Sequence, residues 1–396
     1  MYTFEDSAVR MDVLKKRAFN FRWAEVEDGV LPLTAADSDF PVAKPIMDAL
    51  KNYLEGGYLS YTPKMGLPEF RAAIANGINR RKNEGVKPEW VLPIDSAARG
   101  MYVIAGAFLK PGDEMIVFDP VDYLFQESCL AAGAEVVRFP SKLKADGTGL
   151  DLSDLESYIT PKTKMIGLCN PHNPWGTLYT REDLQLILDL ANKHDIWIMN
   201  DEIWSDIVYS EQEFVSINNL EGDKHRVLSV YGFSKSFGVA GLRIGCVYCN
   251  AQEPFDALVA ESAVLTTAGG ICSLSQVAGI ACMNECFEWL DDYLVHLKAN
   301  RDYTMERLSK MPGITCRKPQ ATFLVFPDIT GTGLSSSELA DFLMKEVKLA
   351  IVPGTKNFFG PGAEGHIRIS FATSRGILKE GLDRLERGLQ MLAERK

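Results

Sequence analysis

From Glu114 onward the chain is punctuated by short apolar runs: Glu114–Phe118, Ala134–Phe139, Lys164–Leu168, Ile196–Met199, Val227–Tyr231 and Cys246–Cys249. Each has the length of a strand and is apolar nearly throughout, and most are separated by amphipathic stretches such as Arg181–His194 with apolar positions at helical spacing. Strands that are apolar on both faces and joined by helices predict an α/β fold, a mainly parallel sheet covered on both sides. Ligands of such sheets gather at the carboxyl ends of the strands.

Upstream, the apolar run from Leu31 breaks into the small, acidic loop Ala35–Phe40, whose backbone can approach a ligand closely, making Ala36 a candidate substrate contact. Tyr58 and Tyr61 precede Gly66 and Pro68, a turn into the amphipathic helix Glu69–Arg81. The stretch from Ile94 opens a helix running to about Leu109, with Ser96, Ala97 and Ala98 where backbone N–H groups lack intrahelical partners. The same residues suit an ordinary N-cap or an anion cradle. After Gly269-Gly270 the pattern turns helical, and Glu285–Met311 predicts a long helix with Trp289, Tyr293, Leu297, Met305 and Leu308 near one face. Beyond Gly313, strand signals at Thr322–Phe326 and His366–Phe371 and helices near Ser335–Glu346 and Leu378–Glu394 predict a smaller α+β unit.

Length and charge narrow the picture. At 396 residues the chain exceeds one ordinary core, and the prior is about two or three domains. A net charge of −11 argues against nucleic acid or an anionic membrane surface as a main partner. No run approaches the roughly 18 apolar residues of a membrane span, and the N-terminus lacks a signal-peptide core, so a cytoplasmic, soluble protein is expected. The eight cysteines are scattered without framework spacing. Cys246 and Cys249 form a C-x-x-C, but residues three apart on a strand face opposite ways, and Cys282 and Cys286 suit a helix core, so no metal site is expected.

The candidate chemistry centres on Tyr231–Gly245, YGFSKSFGVAGLRIG, which carries Lys235 flanked by Ser234 and Ser236, and Arg243. The flanking apolar runs place Lys235 on a turn between two strands. A desolvated lysine can form a Schiff base with a carbonyl, and a guanidinium fork suits phosphate. Alone, the pair fits a solvated lysine and a surface arginine just as well. Two further strand ends, however, run into Asn170-Pro-His-Asn-Pro-Trp-Gly176 and Asn200-Asp201-Glu202. Pyridoxal phosphate needs a phosphate cradle, a partner for its phenolic oxygen, a carboxylate for its pyridine nitrogen and a lysine. Ser96–Ala98 with Arg243, Asn173, Asp201 and Lys235 supply one candidate for each.

On these residues the chain resembles the fold-type I pyridoxal-phosphate enzymes of the class I/II aminotransferase superfamily over nearly its whole length. The matching stretches are NPHNPWG (170–176), NDEIWSDIVY (200–209), FSKSFGVAGLRIG (233–245) and RISFA (368–372). AADSDF (35–40), GYLSYTP (57–63) and NPHNPWG look most like the branch of cystathionine β-lyases and C–S lyases related to the maltose-regulon modulator. The resemblance implies a large domain over 46–294 with a mainly parallel seven-stranded sheet, and a small α+β domain from 1–45 and 295–396. By the same resemblance Lys235 forms the Schiff base, with Asp201 as its catalytic partner at the ring nitrogen. Asn173 bonds the ring, Arg243 with the backbone around Ser96, Ala97 and Ala98 holds phosphate, Ser234 is a further cofactor contact, and Arg368 takes the substrate α-carboxylate with Asn173 and Ala36 nearby. Tyr61 would reach a neighbouring subunit's phosphate, implying a homodimer with active sites at its interface.

Three positions depart from the family pattern. Trp204 stands where a tyrosine or histidine usually meets the cofactor, and an indole donates a hydrogen bond but accepts none. Gly232 replaces a serine that usually helps bind the phosphate, and Asp122-Tyr123 stands where an aromatic ring usually stacks, leaving Tyr123 as the stacking candidate. The leading expectation is amino-group transfer between an L-amino acid and a 2-keto acid. C–S β-elimination to pyruvate, ammonia and a thiol is the alternative, and a PLP-binding regulatory protein is a third.

Overall fold

The computed structural model describes residues 2–145 and 149–395. Its centre is a seven-stranded sheet in the order Val91–Ile94, Gly245–Tyr248, Val227–Gly232, Trp197–Asp201, Thr163–Cys169, Glu114–Asp119 and Glu135–Pro140. All neighbours are parallel except Gly245–Tyr248, which is antiparallel to both strands beside it. The predicted, mainly parallel sheet is therefore present. Its seventh strand, Val91–Ile94, escaped the sequence pattern because Pro93 interrupts a short run; the strand lies at the sheet edge, where a missing N–H is tolerated.

The uniform apolarity of the strands follows from burial on both faces. Met115, Val117, Met165, Met199, Leu228 and Val230 pack with Met101 and Ile104 of the helix Ala97–Phe108 on one side. Ile116, Phe118, Ile166, Leu168 and Ile198 pack with Leu184, Ile187 and Leu188 of Arg181–His194 on the other. Cys246 and Cys249 fall in different clusters, as opposite-facing strand residues should, and all eight cysteines are free.

Six strands run in one direction, and five of them carry the site at their ends: Val91–Ile94 before Ser96, Glu114–Asp119 before Asp122, Thr163–Cys169 before Asn173, Trp197–Asp201, and Val227–Gly232 before Lys235. The predicted turn at Lys235 is instead one helical turn, Phe233–Phe237, closed by Gly238 in the left-handed conformation at φ 67°. Glycine adopts that angle without the steric cost of a Cβ, so the turn can stop two residues after the next serine.

The C-terminal third adds a three-stranded antiparallel sheet of Val352–Pro353, Ile367–Ser370 and Leu324–Val325, with helices Ser336–Val347 and Arg375–Glu394. The N-terminal strand Leu31–Pro32 joins it by pairing in parallel with Leu349–Ala350. The long helix is Phe287–Leu308, and its buried Asn300 donates to the carbonyls of Phe371 and Thr373 (3.0 and 2.7 Å), fixing the segment just past Arg368. Among the described residues no helix is long and apolar enough to cross a membrane.

Candidate active site

The five strand ends open into a cavity of about 860 Å³, closed on its far side by Met344, Ile351, Val352, Phe358 and Phe359. Ala36, Ser96, Ala97, Ala98, Tyr123, Asn173, Asp201, Trp204, Ser234, Lys235, Arg243 and Arg368 all line it. Tyr61 does not: its side chain is 93% exposed on the outside of the chain, beside the exposed Tyr58 and Leu59.

Lys235 points its Nζ at the carbonyl of Ala36, 2.6 Å away, and lies 5.5 Å from the centre of the Trp204 ring. Burial depresses its pKa; the Arg368 cation adds to this, while Asp37, Asp122 and Asp201 oppose it. The result is an amine that gives up its proton more readily than a solvated lysine. Trp204 is fully enclosed and packs edge-on against Phe323 at 4.7 Å, so at this position it acts as an apolar wall beside the lysine.

Asp201 ends its strand 5% exposed. Its Oδ1 accepts from the Ile203 N–H at 2.9 Å, and its Oδ2 accepts from the Cys169 thiol at 3.9 Å. Burial pushes the carboxyl up to about 7, and the charge of Asp122 raises it further against the lowering effects of the Ile203 bond and Lys235. A buried carboxylate without a cation in contact is costly, and a bound N–H cation would relieve it.

At the opposite end, Ser96 caps the helix Ala97–Phe108 by accepting from the Arg99 N–H at 3.1 Å. The N–H groups of Ala97 and Ala98 belong to the first turn, where no intrahelical acceptor exists. Room for the chain here depends on glycine: a Cβ on Gly245 would lie 2.6 Å from the Ala97 nitrogen. The departure at Gly232 has the same origin, since a Cβ there would meet Ala97 Cβ at 3.0 Å and Ile203 at 3.4 Å. Arg243 adopts a left-handed conformation at φ 50° after a short turn whose Leu242 carbonyl is held by Ser275 at 2.6 Å, which brings its exposed side chain to the cavity.

Arg368 is 9% exposed. One terminal nitrogen donates to Asn173 Oδ1 at 3.2 Å, the Nε has no partner, and the guanidinium carbon sits 5.0 Å from the Phe359 ring centre. Burial lowers its pKa to about 10, still leaving it charged at neutral pH. Asn173 uses its other end on Asp122, Nδ2 to Oδ2 at 2.9 Å. Because arginine only donates and a carboxylate only accepts, the amide of Asn173 can face one way round in this relay.

The sequence pattern missed Asp122 as a site residue. Of the adjacent pair Asp122 is half-buried and turned toward Asn173, while Tyr123 is 43% exposed at the cavity rim with its N–H on the Phe358 carbonyl at 3.1 Å. Phe21, Met344, Ile351 and Phe359 were missed as well; they come from distant segments and carry no local motif.

A family model described as aminotransferase class I and II matches residues 28–385. The chain belongs to that family. An aspartate aminotransferase of Pyrococcus horikoshii is 31% identical over 93% of both chains. The solved aromatic aminotransferase from Pyrococcus horikoshii OT3 superposes with a TM-score of 0.85 at 29% identity, covering 93% of this chain and 97% of that one. Cystalysin from Treponema denticola superposes at 0.90, covering 99% and 100%, but at 22% identity this likeness concerns the fold alone. The protein is thus a pyridoxal-phosphate-dependent aminotransferase with the transferase fold of that family. Its residues fit the cofactor on grounds visible in the chain itself: a buried carboxylate short of a cation, a helix N-terminus kept open by Gly245, and a desolvated lysine between them.

Proposed function

We propose that this aminotransferase works through Lys235, Asp201, Asn173, Arg243 and Arg368 in the roles their surroundings favour, taking the amino group of an L-amino acid and returning it to a 2-keto acid. When bound, pyridoxal phosphate supplies an electron sink for the bond to the substrate's α-hydrogen. The N–H groups of Ala97 and Ala98, with Ser96, Ser234 and Arg243, would hold its phosphate. Asp201 would hold the proton on the ring nitrogen, and Asn173 would bond the phenolic oxygen. Trp204 would bound it as a wall, with Tyr123 at the rim.

Arg368 receives the substrate α-carboxylate, and this rests on one observation above others: its fork is buried and its Nε unpaired. Ala36, whose carbonyl holds Lys235 Nζ, lines the same end. The Lys235 amine, at the same end of the cavity, would take the α-proton and return it as general base and acid. Burial of that amine keeps a neutral fraction available.

The proposed units are a large domain over 46–294 and a small one from 1–45 and 295–396, the latter favoured by the pairing of Leu31–Pro32 with Leu349–Ala350. A homodimer is proposed, in which the outward Tyr61 reaches the partner's phosphate site. The free cysteines favour a reducing, cytoplasmic compartment.

The test is a single-turnover assay on the purified holoenzyme. Addition of an L-amino acid without any acceptor should yield one equivalent of 2-keto acid per site. Release of pyruvate and thiol from cystathionine, catalytically and without an acceptor, would replace transfer by β-elimination; binding without turnover across an amino-acid panel would leave a regulatory role.

A further inference from the structure

The proposed roles of Lys235, Arg243 and Arg368 employ each of the three cations that line the cavity among the described residues. The nearby Arg22 is occupied by Asp37 and Asp39, with which it pairs behind the Ala35–Phe40 loop. The other charges at the cavity are the carboxylates of Asp122, Asp201 and Asp341. Asp201 is accounted for by the cofactor and Asp341 is exposed at the mouth.

Asp122 is different. It is half-buried, it accepts from Asn173 Nδ2 at 2.9 Å and from the Leu124 N–H at 3.1 Å, and it reaches Arg368 through Asn173. Its negative charge therefore stays in the cavity without a cation in contact. The remaining wall joins the uncharged Asn20, Thr34 and Asn357 to Phe21, Ala340, Met344, Ile351 and Phe359, and these last offer a substrate side chain apolar surface.

We propose that the site selects amino acids with uncharged, apolar side chains, and that Asp122 is the specificity-determining residue that turns dicarboxylates away. This rests on the aminotransferase reading with Arg368 as partner of the α-carboxylate. A substrate with a second carboxylate meets no free cation among the described residues lining the cavity and meets a half-buried like charge. At a separation of roughly 8 Å and an effective dielectric near 20, that repulsion is worth about thirtyfold in kcat/KM. Asp122 also holds the Asn173 amide with its oxygen toward Arg368, so it presents the arginine while biasing what can follow.

The experiment compares 2-keto acid formation by the holoenzyme from leucine, methionine and phenylalanine with that from aspartate and glutamate. The expected result is a preference of about thirtyfold or more for the apolar group, narrowed by a similar factor in Asp122→Asn and retained in Asp122→Glu. Wild-type turnover of aspartate or glutamate equal to or better than that of the apolar group overturns the inference and leaves the aminotransferase reading standing. An unaltered preference in Asp122→Asn overturns the role of Asp122. Failure of every amino acid to yield keto acid overturns both the inference and the proposed function.

Discussion

Replacing Arg368 by lysine keeps the positive charge and removes the fork, which isolates the geometry on which the proposed carboxylate site depends. In the native chain the guanidinium spends one nitrogen on Asn173 Oδ1 at 3.2 Å, leaving Nε unpaired in a buried setting. A bidentate carboxylate would use that free edge. Lysine offers a point charge with no second parallel donor and no planar face for the Phe359 ring, now 5.0 Å from the guanidinium carbon. A hydrogen bond between charged groups is worth about 1.5–3 kcal/mol, so losing one of two lowers kcat/KM for an amino acid by roughly 10- to 150-fold. Most of the loss should appear in KM, since the carboxylate is bound in the ground state as well as the transition state. The assay is keto acid formation from an amino acid, run beside aldehyde formation from the matching amine that lacks a carboxylate. The amine should be nearly indifferent to Arg368→Lys. An unchanged KM for the amino acid, or an equal loss for both, would refute the assignment of Arg368. Arg368→Ala is the poorer probe, because it also removes packing against Phe359 and leaves the buried Asn173 Oδ1 without its donor.

Lys235→Ala should abolish the visible absorbance of lysine-linked cofactor and all turnover while leaving the far-ultraviolet spectrum native; retention of the absorbance would refute the lysine's role. For Asp201, the carboxyl's pKa rises from 3.8 to about 7 through burial, so the folded state binds this proton more tightly than the unfolded one. Its contribution to the cofactor-free protein is present at low pH and is lost as pH rises through about 4 to 7, on the order of 4 kcal/mol in the limit. Thermal midpoints of cofactor-free Asp201→Asn, measured relative to wild type between pH 5 and pH 8, should therefore improve with pH, and a difference independent of pH contradicts the burial argument. Gly245→Ala should weaken cofactor affinity at least tenfold, because a Cβ 2.6 Å from the Ala97 nitrogen forces the helix N-terminus to move; equilibrium titration with cofactor measures it, and wild-type affinity would show that Ala97 and Ala98 take no part.

The sequence by itself determined the sheet and much of the cavity's membership. Parallel strands buried on both faces must be apolar along their length, which makes Thr163–Cys169, Trp197–Asp201 and Val227–Gly232 recognisable, and their polar ends then mark Asn173, Asp201 and Lys235. The helix start at Ser96 was legible for a similar local reason, since a capping side chain must follow the extended residue. Tertiary structure decided what depended on approach between distant segments. Pro93 hid an edge strand that only pairing with Gly245–Tyr248 reveals. Gly232 looked like a lost phosphate contact until the closeness of Ala97 and Ile203 gave it a steric reason. Asp122 and Tyr123 are adjacent in the chain, and no pattern ranks one above the other. Their fates diverge because Asn173, 51 positions on and itself held by Arg368 a further 195 along, bonds one carboxylate while the neighbouring ring stays at the rim. Local alternation is written in successive residues; the charge balance of a cavity is a sum over segments that folding alone brings together.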